Sequence, residues 1–319
     1  MPLTKGGLPL AVFLRVFNVV TRLRGIGRCL RLLFDPRKIE DCRFEVWLGN
    51  FLYRGRTSHF IDWSILFYGA YEEHDVLVLQ SVANEAQTEI FLDIGANVGE
   101  YAILMSGSCR RVIAFEPNPD LHEQFLGNLH VNGIKNVALQ PVALGRADDS
   151  LTLHLGRDSG ESSFLPNANS NNRENSIVAE VRRGDAFLRG IGISSGVGIV
   201  KIDVEGFEVH VLSGLIETLS ANRPFVLLEV SPGGLEEFGN VDDFVAAFPP
   251  GYTFYRWLRK PGLRTGQALE HAGAEVVFQG YGNVYAVPEE KRDAFEYAVL
   301  RRPKRLRHRR LSAVRLIES

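Results

Sequence analysis

The residues with the clearest chemical potential lie between positions 91 and 101, where a short apolar stretch runs into a glycine-rich turn. The apolar stretch predicts a buried strand over residues 90–94. Gly95 and Gly99 allow a tight turn whose backbone can come close to a ligand, and the residues after Gly99 predict an amphipathic helix. A strand, a glycine turn and a helix in this order form the nucleotide-binding corner of a doubly wound α/β fold.

An acidic residue at the end of the next predicted strand fits the same corner. Glu116 lies 23 residues after Asp93, where a carboxylate can accept hydrogen bonds from both hydroxyl groups of a ribose. The alternative role is a carboxylate that stabilises the N-terminus of the following helix. The glycine turn and Glu116 together predict an adenosine-bearing cofactor, without distinguishing NAD from S-adenosylmethionine.

Two features favour S-adenosylmethionine over a nicotinamide cofactor. First, Asn97 stands where the dinucleotide fingerprint has its middle glycine, and Asp93 places a negative charge before the turn. S-adenosylmethionine has no phosphate and carries an ammonium and a sulfonium group, for which an acidic surround is favourable. Second, three charges stand in residues 201–206, KIDVEG, at the end of a predicted buried strand. Charges there face the ligand crevice of a parallel sheet, although a salt-bridged strand end is the alternative.

Strand and helix patterns alternate through the middle of the chain. The predicted strands cover residues 90–94, 111–116, 137–144, 197–204, 224–230, 252–258 and 283–287. Continuous apolar runs suit strands buried on both faces of a parallel sheet. Upstream, residues 41–60 suggest strands and residues 76–83 a helix, which we expect to form an N-terminal cap. Residues 156–176 are rich in Gly, Ser, Asn and Asp and predict a loop, with a substrate lid as a second possibility.

The charge of the chain is divided between an acidic body and two basic ends. The formal net charge is −2, but residues 1–40 hold eight Lys/Arg against two acids and residues 301–319 hold eight against one, which leaves −15 for residues 41–300. The 45% hydrophobic and 23% charged content is typical of a soluble globular protein. The three cysteines show no zinc-ligand or disulfide spacing, so a reducing cytoplasm fits best.

The N-terminal segment has two interpretations. Residues 8–20 are apolar apart from Arg15 and Asn18 and are too short and too interrupted to span a bilayer. They predict either a helix packed on the domain or an interfacial helix whose arginines face lipid phosphates. Those arginines are Arg15, Arg22, Arg24, Arg28 and Arg31. Residues 301–310 hold seven Arg/Lys and no aromatic residue, so base stacking with nucleic acid is not indicated and anionic lipid is the better partner.

Several motifs resemble those of the FkbM-type methyltransferase family. They are DIGANVG at residues 93–99, FEP at residues 115–117, KIDVEG at residues 201–206 with Glu208, Leu212 and Gly214, FYGAYE at residues 67–72, and residues 224–229. The resemblance covers roughly residues 60–235. It implies an α/β, Rossmann-like class I methyltransferase fold, with a mostly parallel seven-stranded sheet and S-adenosylmethionine as the cofactor. Members of the family methylate oxygen on sugars, polyketides and other secondary metabolites.

The resemblance also implies which residues bind the cofactor. The methionine part is expected at the glycine turn, the ribose at the end of the second strand, the adenine beside the second and third strands, and a closing contact in the cap. In that order the residues are Asp93, Gly95, Asn97 and Gly99; Glu116; Pro117, Asn118 and Ala143; and Tyr71 and Glu72. Phe207 and His210 depart from the small or varied residues common after Gly206 in the family.

Methyl transfer to a hydroxyl group needs alignment of the acceptor and benefits from a base. We expect Asp203 or Glu205 to take the proton and Lys201 to orient the carboxylates, because all three stand at the predicted ligand crevice. His210 is a weaker candidate for the base, since it is more readily a surface histidine. Asp203 and Glu205 could instead bind magnesium, which prefers oxygen ligands, but two acids alone do not predict a metal site.

We expect four segments along the chain. These are a basic amphipathic N-terminal segment over residues 1–40, a cap over 41–88, an FkbM-type methyltransferase domain over 89–290 and a basic C-terminal helix or tail over 291–319. The predicted function is S-adenosylmethionine-dependent methylation of a hydroxyl on a sugar, glycan or secondary metabolite, in the cytoplasm or peripherally at an anionic membrane. The alternatives are a nicotinamide-dependent oxidoreductase and a non-catalytic protein that binds a membrane surface.

Overall fold

The computed structural model describes residues 8–21, 26–35, 38–156, 159–165, 175–259 and 267–317. The elements of the N-terminal part, up to the start of the main sheet, are α1 Leu8–Thr21, α2 Ile26–Leu33, β1 Arg43–Leu48, β2 Phe51–Arg56, α3 Phe60–Tyr68 and α4 Glu73–Glu85. The next elements alternate between strand and helix as the sequence predicts: β3 Ile90–Ile94, α5 Glu100–Met105, β4 Arg111–Phe115, α6 His122–Val131 and β5 Val137–Gln140.

The second half of the chain completes the fold. Its first elements are β6 Ala143–Gly145, β7 Asp149–His154, β8 Ser176–Arg183, α7 Gly184–Gly190, β9 Val197–Ile202, α8 Glu208–Gly214, α9 Ile216–Asn222 and β10 Phe225–Val230. They are followed by α10 Pro232–Phe238, α11 Val241–Ala246, β11 Tyr252–Arg259, β12 Gln267–Ala272, α12 Ala274–Phe278, β13 Gly282–Pro288, α13 Arg292–Arg301 and β14 Val314–Ile317.

Within the described residues, the main sheet has eight strands in the order β12-β11-β13-β10-β9-β3-β4-β5. β3, β4, β5, β9 and β10 are parallel to one another. β13 is antiparallel to both β10 and β11, so β11 runs with the parallel strands. The prediction of a mostly parallel sheet is therefore confirmed. The sheet has one strand more than the expected seven, because β12 pairs antiparallel with β11 at the edge.

Apolar residues are buried on both faces of this sheet. Phe91 and Leu92 are neighbours in β3, yet they belong to two different buried clusters, as do Val112 and Ile113 in β4. Successive side chains of a strand point to opposite faces, so the two clusters lie on the two faces of the sheet. This explains why the strands read as continuous apolar runs.

The predicted third strand, residues 137–144, is wrong as one element. β5 ends at Gln140, and after a bend Ala143 begins β6, which pairs with β8 in a separate sheet of order β6-β8-β7. Pro141 stands at the break. Because proline has no N–H to donate to a strand ladder, it ends the pairing of β5 with β4.

The cap contains a small sheet of order β14-β1-β2, in which β14 and β2 both pair antiparallel with β1. The C-terminal segment, predicted as a basic helix or tail, therefore contains α13 and a strand that returns to the cap. Among the described residues, no helix has the length and apolarity needed to cross a bilayer.

Arg15 of α1 is fully buried. Its guanidinium donates hydrogen bonds to the main-chain oxygens of Trp47 at 3.0 Å and Leu311 at 3.1 Å, and also to those of Ile65 and Leu66. The prediction that Arg15 faces lipid phosphates is therefore wrong, because backbone carbonyl groups inside the cap take up its donors. Of the other predicted arginines, the side chains of Arg22, Arg24 and Arg28 lie outside the described residues.

Candidate active site

The turn after β3 lies directly against the end of β9. Gly95, Asn97 and Gly99 have positive φ values of +77°, +50° and +82°. A Cβ atom on Gly95 would lie 1.8 Å from the main-chain oxygen of Asp203, and one on Gly99 would lie 2.4 Å from the ring of Phe125. No side chain fits at either glycine, so the turn brings bare backbone to the carboxyl edge of the sheet.

Glu116 holds the far side of this turn. Its Oε2 accepts a hydrogen bond from the main-chain N–H of Asn97 at 2.8 Å, and its Oε1 accepts one from the N–H of Asn118 at 2.8 Å. Burial raises the pKa of Glu116 to about 7. The fixed carboxylate lines the cavity described below, and each oxygen has a lone pair left for a further donor.

A buried cation joins the turn to β9. The Nζ atom of Lys201 lies 3.0 Å from Oδ2 of Asp203, 3.7 Å from Oδ1 of Asp93 and 4.9 Å from the centre of the Tyr101 ring. Burial alone would lower the pKa of Lys201, but the two aspartates raise it above its ordinary value, so the ammonium stays charged. Burial raises the pKa of Asp93 to about 6.

Three acidic side chains meet beside this lysine. Asp203, Glu205 and Glu229 each have a carboxylate oxygen within 4.8 Å of the others. Although burial opposes its ionisation, Lys201 holds the pKa of Asp203 below its ordinary value. The negative charge of Asp203 then raises the pKa of Glu229 to about 11. Burial, reinforced by Asp203, raises the pKa of Glu205 to about 8. Like charges this close cannot all ionise.

The cap supplies a further acidic wall. The main-chain N–H of Tyr71 donates to Oε1 of Glu100 at 2.8 Å, and the hydroxyl of Tyr101 donates to Oε2 of Glu72 at 2.8 Å. The Oε2 atom of Glu100 is buried without a hydrogen-bond partner among the described residues. Burial raises the pKa of Glu72 to about 7 and that of Glu100 well above its ordinary value.

These groups surround one cavity of about 620 Å³, a size usual for sites of small molecules and cofactors. The loop after β7 closes one side of it with Glu161, Ser162 and Phe164. Ser163 of this loop donates its hydroxyl to the main-chain oxygen of Glu205. The described part of the predicted lid therefore lies at the cavity, while residues 166–174 of that segment lie outside the described residues.

The cavity suits a ligand that combines a cation with a vicinal diol. Glu116 can accept from two hydroxyl groups, and the orphaned oxygen of Glu100 can accept from an ammonium group. Asp203, Glu205 and Glu229 favour positive charge nearby. S-adenosylmethionine has a ribose diol, an ammonium group and a positively charged sulfonium group, so the residues present fit it. A diphosphate would meet repulsion from the same carboxylates.

Comparison with known proteins gives the family. A sequence model described as the methyltransferase FkbM domain matches residues 93–254, just over half of the chain. The chain belongs to the FkbM methyltransferase family. The predictions of the family, of the class I methyltransferase fold and of S-adenosylmethionine as the cofactor are thereby confirmed.

Curated relatives of this FkbM protein come from two different organisms. The hexuronic acid methyltransferase AglP of Haloferax volcanii is 30% identical over 168 residues, which are 50% of this chain and 63% of that protein. Methyltransferase 1 of Beauveria bassiana is 27% identical over 152 residues, which are 42% of this chain and 61% of that protein. The chain thus spans just over three fifths of the length of these curated relatives.

A solved methyltransferase structure is also similar to part of this chain. The crystal structure of the methyltransferase FkbM from Methylobacillus flagellatus aligns with a TM-score of 0.41 and 15% identity, over 62% of this chain and 43% of that chain.

The cavity of this FkbM protein brings together nine of the predicted site residues: Tyr71, Gly95, Asn97, Glu116, Pro117, Ala143, Lys201, Asp203 and Glu205. The other predicted residues lie behind its wall. Asp93 faces Lys201, Gly99 is the N-cap residue of α5, Asn118 donates its main-chain N–H to Glu116, and Glu72 accepts from Tyr101. Ala143 reaches the cavity from the start of β6 rather than from the end of a third strand.

His210 does not line this cavity. Its Nε2 lies 3.4 Å from an oxygen of Glu237, and its ring packs on Phe207 with the ring centres 4.3 Å apart. Burial lowers its pKa. Phe207, the other departure from the family pattern, lies between His210 and the cavity and lines it. The two residues therefore form an aromatic wall behind the acidic groups.

Sequence reasoning did not name Glu229, Glu100 or Tyr101 as site residues, yet all three line the cavity. Glu229 had a readable signal, because it is an acid near the carboxyl end of a predicted buried strand, as Asp203 is. Glu100 and Tyr101 open α5 directly after the glycine turn. They could have been predicted from their position, because the first turn of this helix lies beside the bound ligand in such folds.

The three clustered carboxylates are also close enough to share a metal ion. Oxygen ligands at this spacing suit a hard divalent cation. However, Lys201 lies 3.0 Å from an oxygen of Asp203 and already balances that charge, and the raised pKa of Glu229 leaves it protonated at neutral pH. With Lys201 counted, the cluster is about neutral when Glu205 is protonated and holds about one net negative charge when Glu205 is ionised, which fits a singly charged cation better than Mg²⁺.

Proposed function

We propose that this FkbM protein transfers the methyl group of S-adenosylmethionine to a hydroxyl oxygen of a sugar or glycan. One observation carries the proposal. The carboxylate of Glu116, which can bind a diol, lines the same cavity of about 620 Å³ as the three clustered acids. When bound, S-adenosylmethionine supplies an electrophilic methyl group on a positively charged sulfur. The residues of the chain have to bind it, align the acceptor and receive a proton.

We assign the binding roles by position. Glu116, fixed by two main-chain N–H groups, accepts from the ribose hydroxyls. Pro117, Asn118 and Ala143 shape the adenine side. The main chain of Gly95 and Asn97 approaches the methionine part, where no side chain would fit at Gly95. This pre-formed backbone costs little ordering when the ligand binds.

Other residues position the groups that contact the ligand. Gly99 permits the turn, and Asp93 fixes Lys201, so both are positioning residues. Tyr71 closes the cavity from the cap, while Glu72 orients Tyr101 through a 2.8 Å hydrogen bond. Together these groups exclude water from the reacting atoms, which strengthens the electrostatic contacts inside.

Glu205 is the base in this proposal, in preference to Asp203. A general base works best when its pKa lies near the operating pH. The pKa of Glu205 is raised to about 8, whereas Lys201 keeps that of Asp203 low and its carboxylate a weak base. Lys201 holds Asp203 ionised, and Asp203 in turn raises the basicity of Glu205.

A sugar acceptor is supported by the relative from Haloferax volcanii, which is named a hexuronic acid methyltransferase. The polar part of the cavity supports it too, since Ser162, Glu161 and Glu205 line it and offer several hydrogen-bonding groups. Sugars are recognised through many hydroxyl donors, for which carboxylates are strong acceptors. Neutral hexosides and hexuronic acids are therefore the acceptors to test first.

The test is incubation with S-adenosylmethionine labelled in its methyl group and a panel of hexosides and hexuronosides. We expect a labelled methyl ether, located on oxygen by tandem mass spectrometry, together with S-adenosylhomocysteine. Thermal shift separates donor from acceptor, because a ligand that binds only the folded state raises the melting temperature. If NAD raises it and S-adenosylmethionine does not, or if the label appears on nitrogen or carbon, the proposal fails.

A further inference from the structure

One face of α1 is buried in the cap and the opposite face is apolar and exposed. Arg15 and Val19 point inward and are buried. Leu10, Phe13 and Phe17 lie on the outer face and are 37%, 61% and 36% exposed. Their spacing of three and four residues is one stripe of a helix, and the two phenyl rings stack with their centres 5.8 Å apart.

A strongly basic segment runs beside this helix. The main-chain oxygen of Leu311 accepts from Arg15, and Nη1 of Arg305 donates to the main-chain oxygen of Val19 at 3.4 Å. The cationic residues of this segment are exposed: Lys304, Arg305, Arg307, Arg309 and Arg310. The basic segment therefore packs against the helix that carries the apolar stripe.

The end of α2 adds exposed apolar side chains close to the cavity. Leu32 is 84% exposed and Leu33 is 44% exposed. The residue before them, Arg31, lines the cavity and lies over the ring of Phe60, with its guanidinium 5.8 Å from the ring centre. Arg31, one of the arginines expected to face lipid, is exposed and lies at an exposed part of the cavity lining.

We infer that this surface, formed by Leu10, Phe13, Phe17, Leu32 and residues 304–310, docks on an anionic lipid bilayer. A membrane interface accepts apolar side chains between its acyl chains and cations among its phosphates, which is the combination present here. The remaining body of the chain is acidic, with −15 over residues 41–300, so repulsion from an anionic bilayer favours contact through this surface alone.

Charge also distinguishes the bilayer from a second copy of the chain. A symmetric dimer through this surface would place the same cationic rows against or beside each other, and like charges in contact oppose association. An anionic bilayer neutralises them. Docking on this surface also brings the cavity entrance at Arg31 close to the headgroups, because Arg31 and Leu32 are consecutive.

The test is co-sedimentation of the full chain with vesicles of phosphatidylcholine alone and of phosphatidylcholine mixed with phosphatidylglycerol. We expect binding only to the anionic vesicles, and its loss at high salt, because salt screens exposed charges. Absence of binding to the anionic vesicles, or equal binding to both, overturns the inference. These measurements need no variant.

Two variants and two matched controls locate the contact. Arg307→Gln with Arg310→Gln lowers the partition onto anionic vesicles about 25-fold, at about fivefold per cation. Phe13→Ser with Phe17→Ser lowers it about tenfold or more. The controls change similar residues elsewhere: Arg110→Gln with Lys135→Gln, and Leu126→Ser with Val178→Ser, all exposed. Controls should bind as the unaltered protein does.

Two further outcomes would show that this surface does not dock on a bilayer. If the variants bind vesicles as tightly as the unaltered protein, this surface is not the contact and the inference is overturned. If the unaltered protein is a dimer by analytical ultracentrifugation, loses the dimer with Phe13→Ser and Phe17→Ser, and ignores vesicles, a second copy covers the surface instead. Methyl transfer to a soluble sugar is measured in a separate assay. The result of the vesicle experiment therefore does not decide whether the proposed enzymatic function is correct.

Discussion

The ammonium nitrogen of Lys201 lies 3.0 Å from a carboxylate oxygen of Asp203, two residues further along the chain at the end of β9. The same nitrogen lies 3.7 Å from Asp93, in the strand beside it. This buried cation keeps Asp203 ionised, and Asp203 in turn raises the pKa of Glu229 and Glu205. The protonation of the three clustered acids thus depends in part on one lysine.

Replacing Lys201 by methionine should destabilise the protein by about 3–5 kcal/mol, because Asp203 and Asp93 would remain buried without their cation. Urea unfolding at neutral pH measures this loss. Lys135→Met is the matched control, since Lys135 is exposed, and surface changes of this kind stay within about 0.5 kcal/mol. A loss below about 1 kcal/mol for Lys201→Met would show that the aspartates do not depend on it.

Glu205→Gln should lower kcat by about 10²–10⁴-fold, the usual contribution of a general base, and leave the affinity for S-adenosylmethionine within a few-fold. With a pKa of about 8, Glu205 is protonated at lower pH, so kcat/KM for the acceptor, measured with S-adenosylmethionine at saturation, rises about tenfold per pH unit up to that value. Asp203 has a lowered pKa and would give a flat profile in this range.

The control for this experiment is Glu236→Gln, which removes an exposed carboxylate of α10. Its pH profile should match that of the unaltered enzyme. If Glu205→Gln retains full turnover, or keeps the rise toward pH 8, the proton leaves by another group.

The affinity for S-adenosylmethionine should rise between about pH 6 and pH 9. Burial raises the pKa of Glu116 and Glu72 to about 7 and that of Glu205 to about 8. These groups lose protons across this range, and their negative charge favours the sulfonium. S-adenosylhomocysteine lacks that charge and should show a smaller rise. Calorimetric titration of both ligands at several pH values measures the difference, and equal pH dependence for both would contradict the acidic cavity as the source of affinity.

Gly95→Ala should weaken cofactor binding and destabilise the fold by about 1–3 kcal/mol. Its Cβ would lie 1.8 Å from the main-chain oxygen of Asp203, and φ is +77°. Gly127→Ala is the control, because a Cβ there has nothing within 4 Å and α6 is helical. It should stabilise the protein by about 0.5–1 kcal/mol. Comparable urea midpoints for the two variants would count against the close approach of turn and strand.

The turn and the first strand could be predicted from sequence because local sterics determine them. The predicted strand over residues 90–94 coincides with β3 Ile90–Ile94. Only glycine accommodates the backbone at Gly95, so its place in the sequence marks the turn. The acids Asp203 and Glu205 could also be named, since charges directly after an apolar run indicate a strand end at the ligand crevice.

The remaining features depend on contacts between distant parts of the chain. Glu229 lies beside Asp203 because β10 pairs with β9; its place near the end of an apolar run could be read from the sequence, but the order of the strands could not. In the sequence, Arg15 is a polar residue that interrupts an apolar helix. In the fold it is buried, and its guanidinium donates to carbonyl groups of the cap and of Leu311. Pro141, in contrast, was a readable signal for the break in the third strand, because it lacks the N–H that a continuous ladder requires.

The central claim is that this cavity binds S-adenosylmethionine through Glu116 and the acids around Lys201. Its most direct test is isothermal titration of S-adenosylmethionine into the unaltered protein and into Glu116→Gln, with NAD as the competing ligand. We expect one saturable site for S-adenosylmethionine and no heat from NAD. In Glu116→Gln the affinity for S-adenosylmethionine should fall about tenfold to 150-fold, the effect of losing a charged hydrogen-bond acceptor. An unchanged affinity in Glu116→Gln, or saturable binding of NAD in place of S-adenosylmethionine, would contradict the central claim.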